Sequence, residues 1–326
     1  MLRTLLLLLA AAASAKHHGE DIANWVRNTH VGERNAVVGN AQRAVAAAIA
    51  SLLAYYEGDE QVLDAVTAST PGLARNLEAK LASRAVSGEG ARFVVAALGS
   101  SVTAGHDNVG STAWPAVLER RLRGALGPLG IDVEVRNQAV GGREPFPASL
   151  CLAPIAGEDA DLVVREWEYW SFGDGLQGEG QKTKALGNMF AAGPVYEAYG
   201  PNHGVAVLSA FGKTFDHLRA KAPKKRLDRS GKKECSGRNV GDCPVGEGKP
   251  DGHHTRPLHI GIPEDDPLLP FADPAKLFIN WHPGALGHEV MGHQVAYAVL
   301  KALQRGLNAL GKVASSGEAA PPSTFA

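Results

Sequence analysis

Residues 93–98 read Phe-Val-Val-Ala-Ala-Leu without one polar side chain, and the run stops abruptly at Gly99-Ser100-Ser101. A strand with one solvated face alternates apolar and polar residues, whereas a strand of a parallel sheet covered on both sides reads as a continuous apolar run. Parallel neighbours need crossover connections, and the following sequence supplies them. "STAWPAVLERRLRGAL" has helical spacing, "IDVEVRNQAV" is a second strand and "ADLVVREWEY" a third. "GVAVLSAF" (204–211) is a fourth, and "GALGHEVMGHQVAYAVLKALQRGL" is a long closing helix. Strands alternating with helices predict an α/β sheet with helices on both faces. Ligands of such sheets bind beyond the C-terminal ends of the strands, and Gly99 to Ser101 lies at one such end.

Upstream the pattern is helical. "ERNAVVGNAQRAVAAAIASLLAYYEG" carries apolar residues three and four apart and ends at Gly58, and "TPGLARNLEAKLASRAV" follows with Thr70 as N-cap and Pro71 at the first helical position. The first fifteen residues, "MLRTLLLLLAAAASA", combine Arg3, an apolar stretch and Ala13-Ser14-Ala15, the pattern of a cleaved signal peptide. No other stretch reads as a membrane span; "AVAAAIASLLAYY" (44–56), flanked by Arg43 and Glu57, is expected to be a core helix. The expected organisation is thus a signal peptide (1–15), a helical N-terminal region (16–90), an α/β domain (91–311) with an irregular insertion (219–274), and a disordered tail (312–326). Secretion is the implied destination.

A net charge of −1 argues against a general nucleic-acid binder. The basic stretch "RAKAPKKRLDRSGKK" reads as a solvated part of the insertion. Three cysteines suit an oxidising compartment; Cys235 and Cys243 bracket a polar loop that closes easily, while a pairing through Cys151 stays open.

Several chemical readings fail on spacing. "GSSVTAG" lacks the Gly-Lys-Ser/Thr ending of a phosphate-binding loop, and Thr103 stands where a Gly-x-Ser-x-Gly elbow needs glycine. "HEVMGH" (288–293) places its histidines five apart, about 140° around a helix, so they do not share the face that a zinc-protease helix requires. A hydrolytic serine remains, and it needs a base from elsewhere in the chain. "NWHPGALGHE" offers His282, displayed at a helix entrance by Pro283 and Gly284. The plainer reading of Ser101 is a helix cap.

Together Gly99-Ser100-Ser101-Val102, "NQAVGG" from Asn137 and "HPGALGH" from His282 resemble, in order and spacing, the blocks of the SGNH (GDSL-type) hydrolase family, in a branch similar to secreted algal members. The resemblance spans roughly residues 92–310. It implies a flavodoxin-like three-layer α/β/α sandwich with a parallel sheet, Ser101 as nucleophile, His282 as base and Gly142 as oxyanion glycine, with no metal or organic cofactor. Ser100 stands in place of the family's aspartate. Two further positions depart from the pattern. Trp170 occupies the place of an oxyanion asparagine, and Ile279 that of the triad acid three residues before the histidine; the alternatives are then Asp265 or Asp273 as the acid, or His282 acting without one.

The expected function is a secreted serine esterase acting on carboxylic ester or O-acetyl groups, on an acetylated glycan or a lipid. The two departures leave a second expectation, a catalytically impaired module that binds glycan or another surface ligand.

Overall fold

The structure is a computed structural model and describes residues 21–69, 71–87, 90–142, 152–157, 159–166, 206–208 and 282–316. The expectations for the signal peptide, the insertion, the three cysteines, Thr70, Asp265, Asp273, Trp170 and Ile279 fall outside these residues.

The apolar run becomes β2 (Ala91–Gly99), and every residue from Phe93 to Leu98 is buried. It is the middle strand of a three-stranded parallel sheet, flanked by β3 (Ile131–Asn137) and β4 (Leu162–Glu166) in the order β3-β2-β4. Ala97 pairs with Asn137 on one side, and Gly99 pairs with Glu166 on the other. The chain therefore leaves β2 toward β3 and returns on the opposite side as β4. In open parallel sheets a ligand crevice forms where the strand order reverses in this way. The described residues thus form an α/β arrangement, as expected, with a small parallel sheet.

Four helices build the rest of the core. In α1 (Val31–Tyr55), buried Val38, Ala41, Val45, Ile49 and Leu52 recur three and four apart, so one stripe faces inward. From Ala41 onward the stripe, with Tyr56, joins a cluster that also holds Phe93, Val95, Leu118, Val290, Leu300 and Leu303. The N-terminal helices and the sheet therefore share one core. By length and composition alone α1 is also long and apolar enough to cross a membrane, while its stripe from Ala41 to Leu52 packs in the core as expected of residues 44–56.

Helix α2 (Pro71–Ser87) begins at the expected proline. Arg84 on α2 pairs with Asp161, whose carboxylate also accepts from Val94 N at 2.8 Å, so the start of β4 is clamped to both α2 and β2. The helix predicted after β2 is α4 (Trp114–Leu126), with Pro115 in its first turn. The closing helix, α5 (Ala285–Ser316), extends beyond the expected boundary at residue 311. Residues 312–316 are helical, not disordered, because the apolar spacing continues: Leu310, Val313 and Ala314 pack on Ile22, Val26 and Val38.

Two elements depart from the expected pattern. Residues 66–69, within the region read as helical, form β1 (Val66–Ser69). The fourth strand of the α/β alternation, β5 (Ala206–Leu208), pairs antiparallel with β1 instead of joining the three described parallel strands. The sequence Val-Thr-Ala-Ser favours an extended strand locally through its β-branched residues, and a four-residue strand is too short to interrupt a helical pattern visibly.

Candidate active site

Ser101 opens a one-turn helix, α3 (Ser101–Ala104), directly after β2. Its tight departure depends on Gly99. A Cβ there would overlap the Thr103 side chain and stand 2.8 Å from the Glu166 carbonyl oxygen. The capping role falls to Ser100, which is extended and whose hydroxyl accepts from Val102 N at 3.4 Å. Ser101 is therefore not the cap, and its hydroxyl is directed to another partner.

That partner is His282, 181 positions away, with Nε2 2.9 Å from Ser101 Oγ. On the other ring nitrogen, His282 Nδ1 is 2.9 Å from Asp107 Oδ2. With the ring proton on Nδ1 donated to the carboxylate, Nε2 is left as the acceptor for the serine hydroxyl. Serine, imidazole and carboxylate thus form one continuous relay, the arrangement that activates a hydroxyl as a nucleophile.

Asp107 was not expected from the sequence, which pointed to Asp265, Asp273 or no acid at all. It lies on the loop that follows α3, after Gly105 ends that helix in the left-handed conformation. Asp107 itself has φ +65°, a region uncommon for non-glycine residues but tolerated by aspartate. Next to it, Asn108 Nδ2 donates to the Pro283 carbonyl at 2.8 Å, tying this loop to the one that carries His282. The signal available in sequence was "GHDN", a turn composition placing an acid six residues after the serine.

Burial draws the His282 pKa down, and Asp107 partly opposes this by bonding and by its charge, so the imidazole is held neutral and able to accept a proton. His106 lies against it, ring centroids 4.8 Å apart. His106 Nδ1 is 3.1 Å from Asp107 Oδ1, so each oxygen of the carboxylate faces one histidine.

Beneath Ser101, Glu166 at the end of β4 binds the nucleophile turn. Its Oε2 accepts from Ser100 Oγ (2.9 Å), Ser100 N (3.1 Å), Thr103 Oγ1 (3.2 Å) and Thr103 N (3.4 Å). Trp114 Nε1 donates in turn to Thr103 Oγ1 at 3.2 Å. Among the described residues, none partners the buried Oε1. Burial raises the carboxyl pKa to about 7, outweighing the four donors, which favour the anion. These bonds also separate the two serines: Ser100 Oγ is committed to Glu166 and Ser101 Oγ to His282.

The other wall is the turn after β3. Asn137 Nδ2 donates to Thr103 O at 2.9 Å, and Val140 N donates to Gly99 O at 3.2 Å, so the chain runs alongside the nucleophile turn to Gly141 and Gly142. The expected oxyanion residue Gly142 is exposed with φ +71°. Gly141 makes the nearer approach: a methyl there would stand 3.5 Å from Ser101 Cβ. Among the described residues no acceptor takes the Ser101, Gly141 or Gly142 N–H.

The two histidines rejected as metal ligands point to different neighbours. His288 Nδ1 accepts from Trp114 N at 3.2 Å, while His293 bonds Tyr56 Oη at 2.9 Å and Arg121 Nε at 2.7 Å. Desolvation lowers their pKa values to about 4 and about 3, which keeps both neutral. Comparison with protein-family models, with curated proteins and with solved structures finds no match.

Proposed function

We propose that this chain is a secreted serine hydrolase that cleaves carboxylic ester or O-acetyl groups, with Ser101 as nucleophile, His282 as general base and acid, and Asp107 as the orienting carboxylate. The observation that carries the reading is the unbroken relay from Ser101 Oγ through both nitrogens of His282 to Asp107, with 2.9 Å at each step. Ser101 Oγ attacks the ester carbonyl as Nε2 takes its proton, and Asp107 stabilises the imidazolium that forms. The negative charge on the carbonyl oxygen is met by the N–H groups of Ser101 and of the Gly141–Gly142 turn. His282 then returns the proton to the departing alkoxide. Water, deprotonated by the same imidazole, hydrolyses the acyl-serine and restores Ser101. An ester needs no metal for this sequence.

The SGNH-type reading of the fold is part of the same proposal. It is supported by the strand order β3-β2-β4, the serine at the end of the central strand and the histidine at the entrance to the last helix. Secretion rests on the pattern of residues 1–15. N-terminal sequencing of protein from the culture medium is expected to start after Ala15, and an intact Met1 there would refute it.

Fluorophosphonate labelling tests the chemistry without knowledge of the substrate. Wild-type protein is expected to be labelled, Ser101→Ala to lose labelling entirely, and Ser100→Ala to retain most of it. Asp107→Ala should slow labelling by about 10⁴-fold. Labelling that survives Ser101→Ala defeats the esterase reading. A folded wild-type protein that resists labelling favours instead a module that binds an ester-bearing glycan or lipid without turning it over.

A further inference from the structure

His106, Asp107 and His282 offer one ligand atom each, all within 4.8 Å of one another. Two of the three belong to the relay already described. His106 does not, and its side chain is 59 % exposed, facing the carboxylate oxygen that His282 leaves unused. We propose that these three residues form a site for a zinc-type divalent cation, and that occupation of this site switches the hydrolase off.

The donor set decides the metal. Two imidazoles and one carboxylate suit zinc, copper(II) or nickel, whereas magnesium and calcium take all-oxygen shells. Three protein ligands with a remaining position open to water is also the common form of a non-structural zinc site. Tetrahedral zinc with bonds of about 2.0–2.1 Å sets its ligands roughly 3.3 Å apart. His106 Nδ1 lies 3.1 Å from Asp107 Oδ1 and His282 Nδ1 2.9 Å from Oδ2, so a cation held by one of these oxygens has one imidazole near that spacing and needs the other to move. The exposed His106 side chain supplies the remaining movement.

Inhibition follows from the tautomer. In the relay, the His282 proton sits on Nδ1 and is donated to Asp107, leaving Nε2 to accept from Ser101. A metal on Nδ1 takes the lone pair that appears when that proton leaves, and the neutral ring must then carry its proton on Nε2. The ring loses one proton and gains one, so its charge is unchanged, but Nε2 now faces Ser101 as a donor. It cannot take the serine proton. Asp107, bound to the same cation, no longer orients the imidazole. Metal and active relay are therefore mutually exclusive, and the cation inhibits by mass action.

The inhibitory half of this inference rests on the Ser101–His282 reading; the binding half does not. Both are measured on the full chain with zinc chloride. Fluorophosphonate labelling of wild type is expected to fall with added zinc, to recover fully with EDTA, and to ignore magnesium chloride. Relative to its own metal-free labelling rate, each of His106→Ala and His106→Gln should need at least about tenfold more zinc than wild type for the same fractional inhibition. Independently, competition against a chromophoric chelator should show wild type binding one more equivalent of zinc than either His106 variant. Equal stoichiometry, or equal zinc sensitivity of labelling in wild type and both variants, overturns the site. Labelling that proceeds unchanged in saturating zinc overturns it while leaving the esterase intact. Absence of labelling without zinc defeats the esterase, and the chelator competition then decides the metal site alone.

Discussion

Glu166 is a carboxyl that burial pushes toward its neutral form while four donors converge on one of its oxygens. Its folded pKa of about 7 lies above the unfolded value of 4.5, so between these values the native state binds more protons than the unfolded chain. Stability from this group is fully present below pH 4.5 and is lost as pH rises through about 7. The full loss is on the order of 3 kcal/mol. Glu166→Gln should flatten that slope while preserving the bonds to Ser100 and Thr103, as read by urea unfolding at pH 5 and pH 8. An unchanged slope would show that the buried carboxyl does not titrate in this window. Ser101 and His282 could be read from the chain because strand-Gly-Ser-Ser and His-Pro-Gly are local patterns with fixed spacing. Asp107 could not, since which carboxylate reaches Nδ1 depends on how two distant loops close on one another. Asp265 and Asp273 precede His282 along the chain, whereas Asp107 approaches its ring from the serine's own loop. Gly141 was passed over for a related reason: sequence order marks the turn but not which of its two glycines leans toward Ser101.

Among the helices, one close constraint is the crossing of α5 over α4. A Cβ at Gly292 would lie 2.7 Å from Val117 Cβ and 3.0 Å from the Trp114 carbonyl oxygen. This is the position where a zinc-protease helix would carry its second histidine, and helix packing explains the glycine. Gly292→Ala should destabilise by about 1–3 kcal/mol through overpacking, despite alanine's better helix propensity. Chemical denaturation would measure it, and a stabilised variant would mean the helices separate readily. The same crossing places the start of α5, and with it His282, over Ser101. Long elements were legible because burial imprints a period on the sequence: α1, α4, α5 and β2 all declare themselves this way. β1 and the partner of β5 did not. A strand of three or four residues carries too few alternations to register, and antiparallel pairing between residues about 140 apart leaves no local trace.

Among the described residues, no seam separates the N-terminal helices from the sheet. The inward stripe of α1 packs into the cluster that holds β2, α4 and α5. Each fully buried Val, Ile, Leu or Tyr contributes roughly 1.5–3 kcal/mol. Removing α1 therefore forfeits an amount comparable to a domain's entire stability of about 5–15 kcal/mol. A chain beginning at Ala91 is expected to be insoluble or unfolded by circular dichroism, and a cooperative melt like that of the full chain would refute a shared core. The loop after β2 has a consequence of another kind. The proposed nucleophile and acid sit six residues apart on one turn, and only the histidine comes from far along the chain. In lineages related to this chain, the long stretch between β4 and α5 is then at liberty to lengthen, shrink or diversify in what it presents to a substrate. Descent need preserve only one short segment and one distant imidazole for the chemistry to be inherited.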